Sequence, residues 1–167
     1  KVFATPLALL AAYAIHEEMR TRARMTFDLI ALDYAADQLG GLYGGAHSRA
    51  YERHAVEPAT APAAALGWLW FGAGVPTFDA EIILLALTGC EPAAAVRRAA
   101  QERDQPFVNR ERRRTRWQLR HAQPASITHE GKTTTPVYKY TYVHPDFVLG
   151  SCQGGLLQPI QQQTWSL

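Results

Sequence analysis

Pro136-Val137-Tyr138-Lys139-Tyr140-Thr141-Tyr142-Val143-His144 is the stretch on which the fold turns. It alternates with period two, so Tyr138, Tyr140, Tyr142 and His144 share one face of a strand while Lys139, Thr141 and Val143 share the other. The same habit begins at Phe107-Val108 and continues through the Arg-rich stretch to Arg120, with β-branched and aromatic residues replacing Ala and Leu. Between these strands, residues 122–135 contain Pro124, Gly131 and three consecutive Thr, and read as a hairpin loop. Residues 150–155 read as a second loop and residues 160–167 as a last strand.

Upstream of Pro106 the periodicity is helical. Thr5-Pro6 predicts an N-cap followed by proline in the first turn, with a helix over residues 7–19 whose inner face takes Leu10, Tyr13 and Ala14. A second helix starts near Thr21, with Met25, Leu29, Leu32, Ala36 and Leu39 as its apolar stripe and Gly40-Gly41 as its stop. Further helices are expected over residues 60–71, from Pro76-Thr77 to Leu87 before Gly89, and from Glu91-Pro92 to about Arg103. The chain is therefore expected to be α+β, with a helical part over 1–105 and an antiparallel β part over 106–167.

The composition is that of a folded domain: 167 residues, 47% hydrophobic and 19% charged. A net charge of +2 excludes a molecule that attracts polyanions over its whole surface. The cations are unevenly placed, however. Fourteen of seventeen are Arg, and Arg110, Arg112, Arg113, Arg114, Arg116 and Arg120 fall within eleven residues. Arg110, Arg112, Arg114, Arg116 and Arg120 alternate onto one strand face, where a planar guanidinium fork suits carboxylate or phosphate. Cys90 and Cys152 lack metal-ligand spacing, and a disulfide between them has no sequence support. No run reaches the length of a membrane span. A start at Lys1 and an end inside a strand-like Trp165-Ser166-Leu167 suggest a segment of a longer protein.

Chemistry concentrates in Gly44-Gly45-Ala46-His47-Ser48-Arg49-Ala50-Tyr51-Glu52-Arg53-His54. On a helical turn or two, His47, Tyr51 and His54 fall on one face and Arg49 and Arg53 on another, an acid/base face beside a cationic one. The glycine pair offers backbone freedom and close ligand approach. The competing reading is a solvated connector in which Tyr51 packs inward and the charges pair with Glu52 and Glu57. The tyrosine row is read first as the core face of a half-buried strand, with a stacking platform for sugar rings as the alternative. Gln153 and the terminal Gln161-Gln162-Gln163 supply amides for hydroxyl-rich ligands or for neighbouring strands. No nucleotide-loop or metal signature is present, so neither a cofactor nor a metal is called for, and no recognition-module signature supports nucleic acid.

The helix Met25-Thr26-Phe27-Asp28-Leu29-Ile30-Ala31-Leu32-Asp33, then Gly45-Ala46-His47-Ser48-Arg49-Ala50-Tyr51, Tyr140-Thr141-Tyr142-Val143-His144-Pro145-Asp146-Phe147-Val148-Leu149-Gly150-Ser151 and Gln161-Gln162-Gln163-Thr164-Trp165 follow one another in an order that resembles bacterial helical-toroid carbohydrate-active proteins, the heparinase-like polysaccharide lyases among them. Where relatives carry His before Thr-Trp, this chain has Gln163. The resemblance implies the C-terminal part of an (α/α) toroid followed by the start of an antiparallel β-sandwich. It also implies β-elimination on an acidic, uronate-containing glycan, in a protein for which a secreted or periplasmic location would fit. In that setting Arg49 neutralises the substrate carboxylate, Tyr51 acts as base and leaving-group acid, and His47 positions the sugar or shares the proton work. His54, Arg53, Tyr140, Tyr142, Gln153 and Gln162 would bind substrate. Two alternatives accompany this reading: a glycoside hydrolase on the same scaffold using Asp33, Asp37 or Glu52, and a non-catalytic carbohydrate- or polyanion-binding module.

Overall fold

The computed structural model of the chain describes residues 3–46, 52–113, 127–129, 132–134, 137–153 and 165–166. The chain is α+β, as the sequence predicts: apart from one short antiparallel hairpin among the helices, the helices precede the antiparallel strands. Contacts divide the chain into two units, one of residues 1–43 and 57–104 and one of residues 44–56 and 105–167.

In the first unit, α1 (Ala4–Tyr13) and α2 (Glu17–Ala36) pack along each other across a short connection. α1 stops at Tyr13 rather than Met19 because Ala14 turns extended and Arg20 donates to the Ala14 and Ile15 carbonyls at 2.8 and 3.3 Å, tying the connection to α2. α2 then opens on Glu17 and Glu18, acids placed where the helix dipole favours them. Thr5 is no cap: Phe3 occupies that position, and the buried Thr5 hydroxyl donates to the Glu81 carbonyl at 3.2 Å.

The inner faces also differ from expectation. Leu10 and Tyr13 of α1 are exposed, as are Met25 and Leu29 of α2, each about two-thirds open, and Leu32. Ala4 and Ala8 from α1 and Ala23, Phe27, Ala31, Tyr34 and Ala35 from α2 are buried instead. Small side chains let the helix backbones approach closely, and the few rings between them fill what remains. Phe27 meets Trp70 edge-on at 5.4 Å, and Tyr34 meets Trp70 at 6.2 Å. Trp70 comes from α4 (Ala64–Phe71), while α5 (Ala80–Leu87) and α6 (Ala94–Gln101) supply Ile82, Leu85, Val96 and Ala100. α5 begins later than Pro76-Thr77 predicts because its cap is Asp79, whose Oδ1 accepts the Ile82 N–H at 2.9 Å.

Gly40-Gly41 do not cap α2, which has already ended at Ala36. They form the two-residue turn between β1 (Gln38–Leu39) and β2 (Leu42–Tyr43), with φ of 58° and 81°, as a type I′ hairpin requires. The turn is held from several sides. The Gln38 side chain accepts the Gly41 N–H and donates to the Ala100 carbonyl, both at 2.7 Å, and the Tyr34 hydroxyl lies 3.0 Å from the Gly41 carbonyl and 3.1 Å from that of Ala63. Gly67, in mid-helix on α4, faces the Gly41 carbonyl so closely that a Cβ would collide with it. A helical glycine ordinarily weakens its helix; here close backbone packing requires it.

Two tests follow from this packing. Gly67→Ala should destabilise the helical unit by about 1–3 kcal/mol despite the better helix propensity of alanine, as read by chemical denaturation; a neutral or stabilising effect would contradict the close approach. Burial pushes the Tyr34 phenol well above the ordinary tyrosine range, only partly offset by a backbone hydrogen bond from Tyr43. A raised folded value means that its stabilising contribution is complete below about pH 10, where an unfolded tyrosine ionises, and is lost as pH climbs above that point. Alkaline melting curves should therefore fall less steeply for Tyr34→Phe, which at neutral pH loses about 1–2 kcal/mol with its hydrogen bonds.

Candidate functional site

The second unit is built around an antiparallel sheet of order β3-β6-β7-β8, formed by Phe107–Arg113, Val137–Val143, Val148–Gln153 and Trp165–Ser166. Residues 150–153, expected as loop, are paired strand; β-carbons being absent at Gly150, the strand passes close under another segment there. The stretch expected as a hairpin loop contains β4 (Ile127–His129) paired with β5 (Lys132–Thr134). Directly opposed residues share a face, so the register sorts the side chains into two sets. Val108, Arg110 and Arg112 stand opposite Tyr142, Tyr140 and Tyr138, which stand opposite Leu149, Ser151 and Gln153.

This tyrosine side is open. Tyr138 is 50% and Tyr140 41% exposed, whereas Lys139, Thr141 and Val143 on the other side are nearly closed to solvent. The expectation that the tyrosine row forms the core face is thereby corrected: the strand alternates as predicted, but the aromatic side is the one turned to water. The physical reason is on the covered side, where the Lys139 ammonium meets Glu111 at 3.0 Å and the Asn109 amide donates to the same carboxylate at 2.8 Å. A paired and hydrogen-bonded charge tolerates burial that an isolated one would not.

On the open side, the Arg110 guanidinium lies 5.6 Å from the Tyr140 ring centre and that of Arg112 lies 5.8 Å from the Tyr138 ring centre. These are cation–π contacts. Neither guanidinium has a carboxylate partner among the described residues. The row continues through Tyr142 to His144 and Phe147, whose rings stack at 4.9 Å with an interplanar angle of 19°. The result is a solvent-facing strip of rings edged by two cations.

Of the residues predicted for substrate binding, Tyr140, Tyr142 and Gln153 come together on this open face. Arg53 and His54 lie on α3 (Glu52–Val56), Arg53 exposed and His54 half-buried, with Arg53 Nε 3.5 Å from His54 Nε2. His47, Arg49, Tyr51 and Gln162 lie outside the described residues. Gly44 and Gly45 have no left-handed backbone. Their role is close packing: a Cβ on Gly150 would stand 2.5–2.7 Å from backbone atoms of residues 44–46, and one on Gly44 would strike the Val148 side chain. The glycine pair thus lies close against β7. Sequence reasoning missed Glu111 and Lys139; a lysine among apolar positions of an alternating strand was the available signal.

The helical unit offers less. Asp37 is fully closed to solvent and accepts from the Tyr43 hydroxyl at 3.1 Å, with the Arg103 guanidinium close enough to feel its charge. Of the carboxylates named for hydrolysis, Asp37 is thus buried and hydrogen-bonded within the helical unit. Arg20, Thr21, Arg24, Met25, Thr88 and Cys90 line a groove of about 460 Å³. Its guanidiniums are occupied, Arg24 pairing with Asp28 at 3.1 Å and approaching Cys90 Sγ at 3.4 Å. Burial raises the Cys90 thiol more than Arg24 lowers it, and burial likewise raises Cys152 against the pull of Lys139. Both cysteines are free. No described helix is long and apolar enough to cross a membrane.

No protein-family model matches the chain, and comparison with curated proteins and with solved structures returns no significant match.

The covered face makes two opposite predictions for neighbouring positions. Lys139→Met removes the cation that faces Glu111 at 3.0 Å and should cost about 3 kcal/mol in denaturant unfolding. The Thr141 hydroxyl is fully buried and has no hydrogen-bond partner among the described residues, so Thr141→Val, equal in shape, should be neutral or stabilising by about 1 kcal/mol. Equal losses for the two variants would contradict this account of the face.

Proposed function

We propose that the protein acts on an acidic polysaccharide, with the open face of its sheet as the surface that holds the glycan. The observation that carries this reading is the pair of guanidiniums, Arg110 over Tyr140 and Arg112 over Tyr138, presented to solvent without carboxylate partners among the described residues. A guanidinium resting on a ring keeps its in-plane N–H fork for a carboxylate. Exposed tyrosine rings offer flat apolar surface to the C–H faces of a sugar and hydroxyls to its oxygens. Two such pairs, two residues apart along antiparallel strands, repeat the combination about every 7 Å, which suits a chain of sugars bearing regular negative charge.

The chemistry proposed for that substrate is β-elimination. The proton next to a uronate carboxylate becomes acidic enough to remove once the carboxylate charge is neutralised. Following the heparinase-like resemblance, Arg49 neutralises, Tyr51 removes the proton and returns one to the leaving oxygen, and His47 orients the sugar. The helical unit is then part of an (α/α) toroid and the four-stranded sheet the start of a β-sandwich, a reading supported by the order of the helices before the four-stranded antiparallel sheet.

The test is to titrate the chain with uronate polymers, a neutral polysaccharide and single-stranded nucleic acid, while following unsaturated-product absorbance and polymer length. Uronate polymers should bind, more weakly at high salt, and Arg110→Gln with Arg112→Gln should weaken them by about 10–100-fold while sparing any neutral binding. Tyr51→Phe should keep binding and lower elimination by about 10²–10⁴-fold. Binding without any change in polymer length would reduce the protein to a carbohydrate-binding module, and preference for nucleic acid over every glycan would overturn the reading.

A further inference from the structure

We infer that His144 is a further glycan-binding residue, a fixed hydrogen-bond donor at the far end of the open face; this rests on the acidic-glycan reading of that face. His144 follows Tyr142 on the same side of the sheet, their ring centres 6.4 Å apart, and Phe147 holds its ring by stacking at 4.9 Å. The turn between β6 and β7 is closed by the His144 N–H donating to the Phe147 carbonyl at 2.8 Å. Within that turn the Asp146 backbone N–H donates to His144 Nδ1 at 3.2 Å, and Asp146 Oδ2 lies 3.4 Å from the same nitrogen.

These two neighbours serve different states of the ring. In the neutral imidazole, Nδ1 accepts the Asp146 N–H, so the single ring hydrogen sits on Nε2. In the imidazolium, Nδ1 carries a hydrogen that the Asp146 carboxylate accepts, and Nε2 again carries one. Nε2 is therefore a donor in both states. It has no protein partner among the described residues, and the side chain is 34% exposed. A rigid ring with an unsatisfied donor at the end of a tyrosine row is suited to a sugar hydroxyl or carboxylate oxygen. From Tyr138 to His144 the strand advances about 20 Å, so the face takes a glycan longer than a disaccharide, with guanidiniums along one stretch and imidazole at the other end.

The experiment is calorimetric titration of the chain and its variants with oligouronates of increasing length. His144→Phe keeps a flat ring against Phe147 and removes the donor; it should weaken the longest oligomers by about tenfold and leave the shortest little changed. His144→Gln, whose amide NH2 can reach the place of Nε2–H, should recover a large part of that loss. Wild-type binding with unchanged affinity in His144→Phe at every length would overturn the role of His144 alone. Absence of wild-type binding to any oligouronate would overturn the acidic-glycan reading and this inference with it. Equal weakening of all lengths, unrelieved in His144→Gln, would mark a structural effect and also reject the donor role.

Discussion

The ion pair between Glu111 and Lys139, directly opposed on β3 and β6 at 3.0 Å, decides which side of the sheet meets water. Strand side chains repeat every two residues, so a one-residue slip would move the whole tyrosine row to the covered side and expel the lysine. A buried pair of this kind adds little net stability over a well-packed apolar pair, but it penalises every register in which either charge loses the other. With that register in place, Arg110 meets Tyr140 and Arg112 meets Tyr138 across the same two strands. The candidate binding surface is thus a consequence of what is paired underneath it.

Periodicity in the sequence carried the existence of β6 but not its orientation. Three alternating tyrosines suggest a core face by hydrophobicity alone, and only the partner of Lys139, distant in sequence, makes the opposite choice affordable. The same limit applies to α2. Its stripe of Met25, Leu29 and Leu32 has helical spacing and is exposed, whereas the buried stripe is mostly alanine with Phe27 and Tyr34. Alanine contributes little apolar area per residue, so a pattern search ranks it low. It nevertheless allows close helix packing, which the count of apolar residues does not register.

Glycines were legible as punctuation and less so as packing. Gly72, left-handed at the end of α4, is a conventional helix stop, while Gly40-Gly41 turn a hairpin and Gly67 makes room for that hairpin. Gly44 resembles part of a flexible hinge beside the His/Arg/Tyr segment, yet it is spent on contact with Val148, and residues 44–46 run close over Gly150. Such roles depend on a second segment that single-chain spacing cannot reveal. Tyr140, Tyr142 and Gln153 were singled out by residue type alone, and the cross-strand register is what puts them on one face of the sheet.

The central claim, that the open Tyr–Arg face is the binding surface, is tested most directly by nuclear magnetic resonance of the chain with labelled arginine side chains and tyrosine rings, during addition of an oligouronate. The account predicts that the Nε–H signals of Arg110 and Arg112 and the ring signals of Tyr138, Tyr140 and Tyr142 shift together with one saturation curve, while those of the buried Tyr34 stay in place. Saturable binding that moves signals of the helical unit and leaves the five face residues unchanged would contradict it.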